Sequence, residues 1–430
     1  MVATAIVQEP KAGNRALTYA AIVIVVGIFA TTLAQPQVLG RLPIQNLLKN
    51  ELHVSRSANA GFFFLSGLPW YFKPLAGLLT DAFPILGSPR KSYLLISAVL
   101  SVAAWVGLYY TPHQYGRLLW ACIAINLFMM TASTAVGAYM VETAQATSGS
   151  GRLTAIREFV SELTTVIRGP AAGYLASIAF GWTAAACGGV VFLLVPAAVL
   201  FLNEQRKRID SAALLGNAAR QLGKVGTAGT MWAAAGLMAV YYLAPSTITA
   251  QFYKQQVDLH MTTQAQGLLG AIYGIFGILA ALGYGYACRR INLRNLLVGC
   301  ILIATACHLS FLSYATPQRA QIVAAFDGFG FTLSEMALMD LAVRATPAGV
   351  EGLGFSLLMS VRNFALFGTD WFGSTLIDAH HFKFSTVILL NAAVTASTIP
   401  LVLLLPLALV RRKDAEIYEE APAPVTEFQN

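Results

Sequence analysis

Twelve stretches of about twenty apolar residues, separated by short polar turns, leave this chain little freedom in how it folds. A run of that length crosses a hydrocarbon core of ~30 Å at 1.5 Å per residue. Inside lipid each backbone donor and acceptor must be satisfied within the segment, so such runs become helices. The stretches fall near 16–36, 58–80, 92–110, 117–140, 153–178 and 183–203, then near 229–252, 265–287, 293–314, 319–341, 351–377 and 385–410. With 57% hydrophobic and only 11% charged residues, the chain lacks the polar surface a soluble domain of 430 residues needs. The expected fold class is an all-α membrane protein. The first run has no small-residue cleavage site followed by polar chain, so it is expected to be retained as the first helix.

Charge placement orients the helices. Eighteen of the 28 Lys and Arg residues fall in segments on one side: Lys11, Arg15, Arg90, Lys91, Arg152, Arg157, Arg206, Lys207, Arg208, Arg220, Lys224, Arg289, Arg290, Arg294, Arg344, Arg411, Arg412 and Lys413. Seven fall on the other side (Arg41, Lys49, Arg56, Arg117, Lys254, Arg319, Lys383), and Lys73, Arg168 and Arg362 lie within helices. Basic loops face the cytoplasm, so both termini are expected there, in a plasma (inner) membrane. The same bias accounts for the net charge of +8 without a nucleic-acid partner. The expected division is a six-helix bundle over 1–203, a cytoplasmic linker over 204–228, a second six-helix bundle over 229–410 and a cytoplasmic tail over 411–430.

The halves echo each other: Gly77 to Lys91 has a counterpart in Gly283–Arg290, and Glu142–Arg157 has one in Arg344–Arg362. Two six-helix pseudo-repeats in parallel relation describe the major facilitator fold, with 12 transmembrane helices and substrate held at the midplane between the halves.

Several chemistries are not supported. The five cysteines are scattered without a C-x-x-C, and the six histidines form no H-E-x-x-H, so neither a disulfide framework nor a metal site is expected. There is no P-loop and no dinucleotide fingerprint, so no cofactor is expected and any transport draws on an ion or solute gradient. His380 and His381 point about 100° apart on a helix, which leaves no basis for an enzyme.

The charges inside the apolar runs are the candidate functional residues, because a charge in lipid costs roughly 2.5–3.5 kcal/mol on insertion scales. Lys73, before Pro74, either holds an anion in a cavity, pairs with a helix carboxylate, or snorkels to the nearer surface. Gly77, Asp81, Arg90 and Lys91 form an acid–turn–base arrangement suited to a gating loop. Glu142 either takes up a proton or pairs with Arg152 or Arg157. Glu158 and Glu162 share one helix face with Arg168 farther along; they line a pathway or neutralise one another. Asp327, Glu335 and Asp340 lie in the tenth run. In the eleventh, Arg362 and Asp370 are two turns apart on one face, and Arg362 reaches an acid on helix 5 or 10 or captures an anionic substrate. The glycines Gly267, Gly270, Gly274 and Gly277 suit close helix packing. Among the plentiful aromatics, none is singled out as a stacking face for a planar solute.

The segment PWYFKPLAGLLTDAFPILGSPRKSY (Pro69–Tyr93) resembles the helix 2–3 signature of the folate–biopterin transporter family, a branch of the major facilitator superfamily. ATPAGVEGLGFSLLMSVRN (Ala345–Asn363) resembles that family's approach to helix 11. The chain departs from the pattern at AVGAYMVE, where Gly137 stands in place of a helix 4 aspartate. In the wider superfamily the loop aspartate, here Asp81, caps a neighbouring helix and helps latch the inward gate. The resemblance implies proton-linked uptake of folates or pterins, which are anionic or planar heterocycles, with Lys73, Arg90, Glu351 and Arg362 on matching positions or within the matching blocks.

The expected function is therefore a secondary transporter of folate- or pterin-like or other organic anions. It would work as a monomer in the bilayer by alternating access with protons as coupling ion. Lys73, Arg362, Glu158, Glu162 and Arg168 are expected to bind substrate, Glu142 and Asp370 to couple protons, and Gly77, Asp81, Arg90 and Lys91 to gate. The alternatives are an exporter or muropeptide-type permease of the same superfamily, or a non-transporting scaffold or pigment-delivery factor.

Overall fold

The computed structural model describes residues 12–88, 90–147, 150–202, 204, 211–347, 351–411 and 413. Its described residues are helical throughout, apart from turns and one isolated bridge between Ile85 and Ser88. The first part comprises α1 (Ala12–Leu33), α2 (Arg41–Asn50), α3 (Arg56–Ser66), α4 (Leu68–Tyr71), α5 (Lys73–Ala82), α6 (Lys91–Tyr110), α7 (Tyr115–Thr147), α8 (Ser150–Leu175), α9 (Phe180–Phe192) and α10 (Leu194–Phe201). After α11 (Ser211–Thr227) follow α12 (Gly229–Tyr242), α13 (Ile248–Val257), α14 (Thr263–Ala287), α15 (Leu293–Leu309), α16 (Pro317–Ala345), α17 (Glu351–Asp378), α18 (Phe384–Leu404) and α19 (Leu407–Val410).

Among the described residues, seven helical stretches are long and apolar enough to cross a membrane: 91–110, 115–140, 180–201, 263–287, 293–313, 317–345 and 384–404. The other five apolar runs of the sequence are also helical, but each breaks the simple pattern. The run 58–80 is interrupted at Gly67 and Phe72, beside Pro69 and Pro74, giving α3, α4 and α5 in succession. Around Pro245 the run 229–252 divides into α12 and α13. Internal charges dilute α8 and α17, whose charges include Arg168, Arg362 and Asp370, and α1 carries a shorter apolar stretch, Thr18–Leu33. Two helices fall where the sequence suggested only connecting chain: α2, between the first two runs, and α11, within the basic segment 204–228.

Helix starts follow local chemistry. Ser55, Thr262, Asn292 and Thr316 each accept a hydrogen bond from a backbone N–H of the first turn, at 3.0–3.2 Å. Pro317 follows Thr316 at the first position of α16, where no N–H is needed.

Buried apolar side chains form one cluster running from Val23 to Leu202 and others from Val225 to Val410, so the two parts of the chain carry separate cores. Among the described residues they meet most extensively along two seams. Where α8 crosses α14, side chains are nearly absent: a Cβ on Gly169 would stand 2.5 Å from backbone atoms of Gly267 and Ala271, and one on Gly267 would stand 2.5 Å from the Gly169 carbonyl. The second seam, α3–α4 against α17, is aromatic. Phe64 stacks on Trp371 at 5.6 Å and 14°, and Tyr71 meets Phe364 edge-on at 5.5 Å.

Candidate functional site

Three polar constellations emerge, at the two ends of the bundle and at its middle. At one end the 83–90 turn folds back on itself. Leu86 and Gly87 both have positive φ (55° and 75°) between the bridged Ile85 and Ser88, the geometry of a mirror-image tight turn that glycine adopts freely. The turn delivers Arg90 to the start of α6, where it is buried. From there its guanidinium donates to Glu142 of α7 at 2.9 and 3.1 Å and to Thr80 of α5 at 3.4 Å. Arg90 is thus a partner that the sequence did not pair with Glu142; of the two expected ones, the Arg152 side chain lies outside the described residues.

Glu204, beyond the last helix of the first part, was not singled out in the sequence. Its carboxylate accepts from the Arg90 and Lys91 backbone N–H groups at 3.0–3.3 Å and from the Ser88 hydroxyl. It thus stands at the positive N-terminus of α6. Lys91 donates to the Leu202 carbonyl at 2.9 Å, completing the clamp. The second part echoes this end: Arg344 makes paired hydrogen bonds to Asp340 at 2.7 and 2.9 Å, and Tyr284 of α14 donates to the same carboxylate at 3.0 Å.

The opposite end is sealed by contacts that join the two parts. Asp370 is buried; it accepts from Arg41 at 2.9 Å and from the Thr249 amide and hydroxyl at 2.9 and 2.8 Å. Burial holds the Arg41 guanidinium below its ordinary value against the pull of Asp370, and Arg168 lies close enough to act in the same direction as burial. Asp378 accepts from Arg56 at 3.3 Å and from the Ser57 amide at 2.7 Å. Lys49 donates to Gln256 at 2.9 Å, and Tyr253 donates to the Val54 carbonyl at 2.7 Å. Asp370 therefore belongs to an interdomain seal and does not pair with Arg362, although the two share a helix face.

At the middle, Glu335 of α16 accepts from Arg362 of α17 and from Tyr242 of α12, each at 2.5 Å, and the guanidinium lies 5.6 Å over the Tyr242 ring. Arg362 also donates to Asn363 at 3.0 Å. Tyr273 of α14 lies within electrostatic reach of Asp327, Glu335, Arg362 and, from the other half, Arg168. Among the described residues Arg168 has neither an ion pair nor a hydrogen bond. Lys73 donates to Ser133 at 3.1 Å and lies 5.4 Å over the Trp70 ring, which is itself fixed by Asn126 at 3.0 Å. No described carboxylate pairs with Lys73, and Arg157 lies within electrostatic reach of it. The side chains of Asp81, Glu158, Glu162 and Glu351 lie outside the described residues. Gly77 sits where α5 passes α7, 3.8 Å from Thr134 for an added Cβ.

The structure thus sets Arg168 and Arg362 both within electrostatic reach of Tyr273, with Tyr242 beside Arg362, leaves Lys73 with Ser133 and Trp70, and draws Arg90, Glu142 and Asp370 away to the two ends.

The chain resembles known proteins both in sequence and in fold. Residues 36–421 match the model of the BT1 family. The chain is 24% identical over 432 residues to the "Folate-biopterin transporter" of a Synechocystis species, covering 89% of this chain and 82% of that one. It is 23% identical over 372 residues to "Probable folate-biopterin transporter 2" of Arabidopsis thaliana, covering 79% and 72%. Among solved structures, a D-xylose-proton symporter superposes with a TM-score of 0.68 at 14% identity, covering 91% of this chain and 97% of the other. A mutant of the nucleoside transporter NupG does so with 0.68 at 11%, covering 91% and 100%. The fold is that of the major facilitator superfamily, and the chain is a multi-pass integral membrane protein.

Proposed function

The chain belongs to the BT1 family, the folate–biopterin transporters, and from that premise we propose that it is a secondary active transporter of folate- or pterin-like organic anions. It is a member of a transporter family and not an enzyme. The observation that carries the reading is that Arg168 from α8 and Arg362 from the second part both lie within electrostatic reach of Tyr273, with Tyr242 beside Arg362. Arg168 has no anionic partner among the described residues, while Arg362 holds its guanidinium ready through Glu335. A solute carboxylate supplies the missing counter-charge, and Tyr273 with Tyr242 offers rings to a planar heterocycle. Lys73, likewise without a described carboxylate, extends the positive wall. Glu158 and Glu162 are proposed as further lining residues of α8.

In this reading the chain has 12 membrane-crossing segments in two six-helix halves, 1–203 and 229–410, joined by 204–228 and followed by the tail 411–430. The halves rock about the midplane in a plasma (inner) membrane, as a monomer, with both termini cytoplasmic in accord with the basic loops. Protons drive uptake. The sealed end then faces outward, and Gly77, Asp81, Arg90 and Lys91 gate the inner end. Glu142 and Asp370 each hold an arginine, so a proton taken by either carboxylate releases its gate.

The test is uptake of labelled folate into proteoliposomes with and without an inward proton gradient. Gradient-stimulated uptake that falls at least tenfold in Lys73→Ala and Arg168→Ala is expected. Absence of uptake by well-folded protein under both conditions refutes the folate assignment.

A further inference from the structure

Every other carboxylate whose side chain is described has a visible partner. Glu335, Asp340, Asp370 and Asp378 hold arginines, as does Glu142; Asp258 holds Lys254, Glu51 meets His113, and Glu204 takes backbone N–H groups. Asp327 is the exception: among the described residues it has neither a cation nor a hydrogen-bond donor. It lies ten residues past Pro317, the first residue of α16. That is ~15 Å along the helix, or half the depth of a hydrocarbon core.

Asp327 is half-buried. At the next residue, Gly328, the backbones of α16 and α14 touch: an added Cβ would come 2.2 Å from the Tyr273 carbonyl oxygen. The helix backbone that carries Asp327 is therefore held against that of Tyr273. The titratable groups within its electrostatic reach are Tyr273 of α14, Tyr241 of α12, Cys307 of α15 and Tyr314 beyond it, none of them a cation. The two arginines of the central site, Arg168 and Arg362, act on the same Tyr273. A carboxylate ion without partner is poorly tolerated in such a place, whereas the neutral acid is not. An anion arriving between Arg168 and Arg362 brings negative charge near Asp327 and favours its protonated form, which links the two occupancies.

We propose that Asp327 is the proton-carrying carboxylate of the transport cycle, taking a proton from one aqueous face as the anion binds at Arg168 and Arg362 and yielding it to the other face as the anion leaves. The proposal rests on the proton-coupled reading above and gives it a site distinct from Glu142 and Asp370, whose arginine partners make them gates.

Two measurements test it. The infrared difference spectrum of wild-type protein minus Asp327→Asn, in lipid and without substrate, is expected to show a carboxylic-acid C=O stretch that vanishes on alkaline titration. Asp327→Glu keeps such a band at a shifted position, which also decides the matter should the asparagine variant not fold. In proteoliposomes, Asp327→Asn is expected to lose gradient-driven folate accumulation by at least tenfold while keeping folate counterflow within about twofold of wild type. The proposal is overturned if no acid stretch distinguishes wild type from the variants at any pH, if the asparagine variant still accumulates folate with the gradient, or if counterflow is lost with accumulation. Wild-type protein that moves no folate refutes the substrate assignment instead, and the infrared band still decides whether Asp327 carries a proton.

Discussion

Asp370→Asn is the sharpest probe of the sealed end. The carboxylate makes three bonds that cross from one half to the other or brace that crossing: to Arg41 on α2 and to the amide and hydroxyl of Thr249 at the start of α13. Asparagine keeps one acceptor oxygen for the Thr249 amide. Its NH₂ then stands where Oδ2 accepted from both the Thr249 hydroxyl and the Arg41 guanidinium, and the charge is gone. Loss of one partner of a buried, hydrogen-bonded charge pair costs about 2–5 kcal/mol. Arg41 retains 16% side-chain exposure, so water relieves part of that penalty and the lower end, about 2 kcal/mol, applies. If the bond exists only in the sealed state, the open population rises about 30-fold. Gln45, buried and 3.4 Å from the Thr249 hydroxyl, marks the seal. In a background lacking the five native cysteines, Gln45→Cys would be alkylated at a rate set by opening. Asp370→Asn is expected to accelerate that labelling by between 10- and 100-fold. A change of less than twofold in a protein of unchanged melting behaviour refutes the idea that this ion pair holds the end shut.

Three further outcomes are expected. Glu204→Ala removes the anion from the N-terminus of α6 and should lower stability by about 1–2 kcal/mol, with Glu204→Gln intermediate, read as thermal unfolding of the purified protein. Gly169→Ala forces a methyl group into the α8–α14 contact and should cost about 1–3 kcal/mol and impair transport, whereas Gly236→Ala, with nothing within 4 Å, should be silent in both assays. Trp371→Ala opens the stack with Phe64 and should lower the melting temperature of the protein more than Trp120→Ala, whose ring is 70% exposed.

Much of the architecture was legible because lipid imposes it. Runs of apolar residues must be helical, and glycines spaced along the 265–287 run imply backbone contact. The twelve runs all coincide with helical chain, and Gly267 and Gly270 do lie against α8. What could not be read was the rotation of each helix about its axis, and with it the partner of each charge. Arg362 meets Glu335, an acid of the tenth run as one of its readings had it, but Asp370 on the same face turns to Arg41, 329 residues away. Glu142 has two arginines nearby in sequence, yet the arginine seen holding it is Arg90, 52 residues earlier. Glu204 looked like the first polar residue of a linker; its role depends on α10 ending beside the start of α6, a contact separated by 113 residues. Local spacing carries helix and cap, and only packing assigns the distant pairs.

The bare crossing of α8 and α14 has a mechanical meaning. Helices that interlock through side chains resist turning, because knobs must climb out of holes before either can move. Where Gly169, Gly173, Gly267 and Gly270 meet, there are no knobs. The two backbones bear on each other like crossed rods, free to swivel with almost no rearrangement of rotamers. Such a joint keeps its own spacing while the ends sweep apart, so it acts as the fulcrum of the machine. The effort of opening then falls on the latches at the two ends, where the ion pairs are.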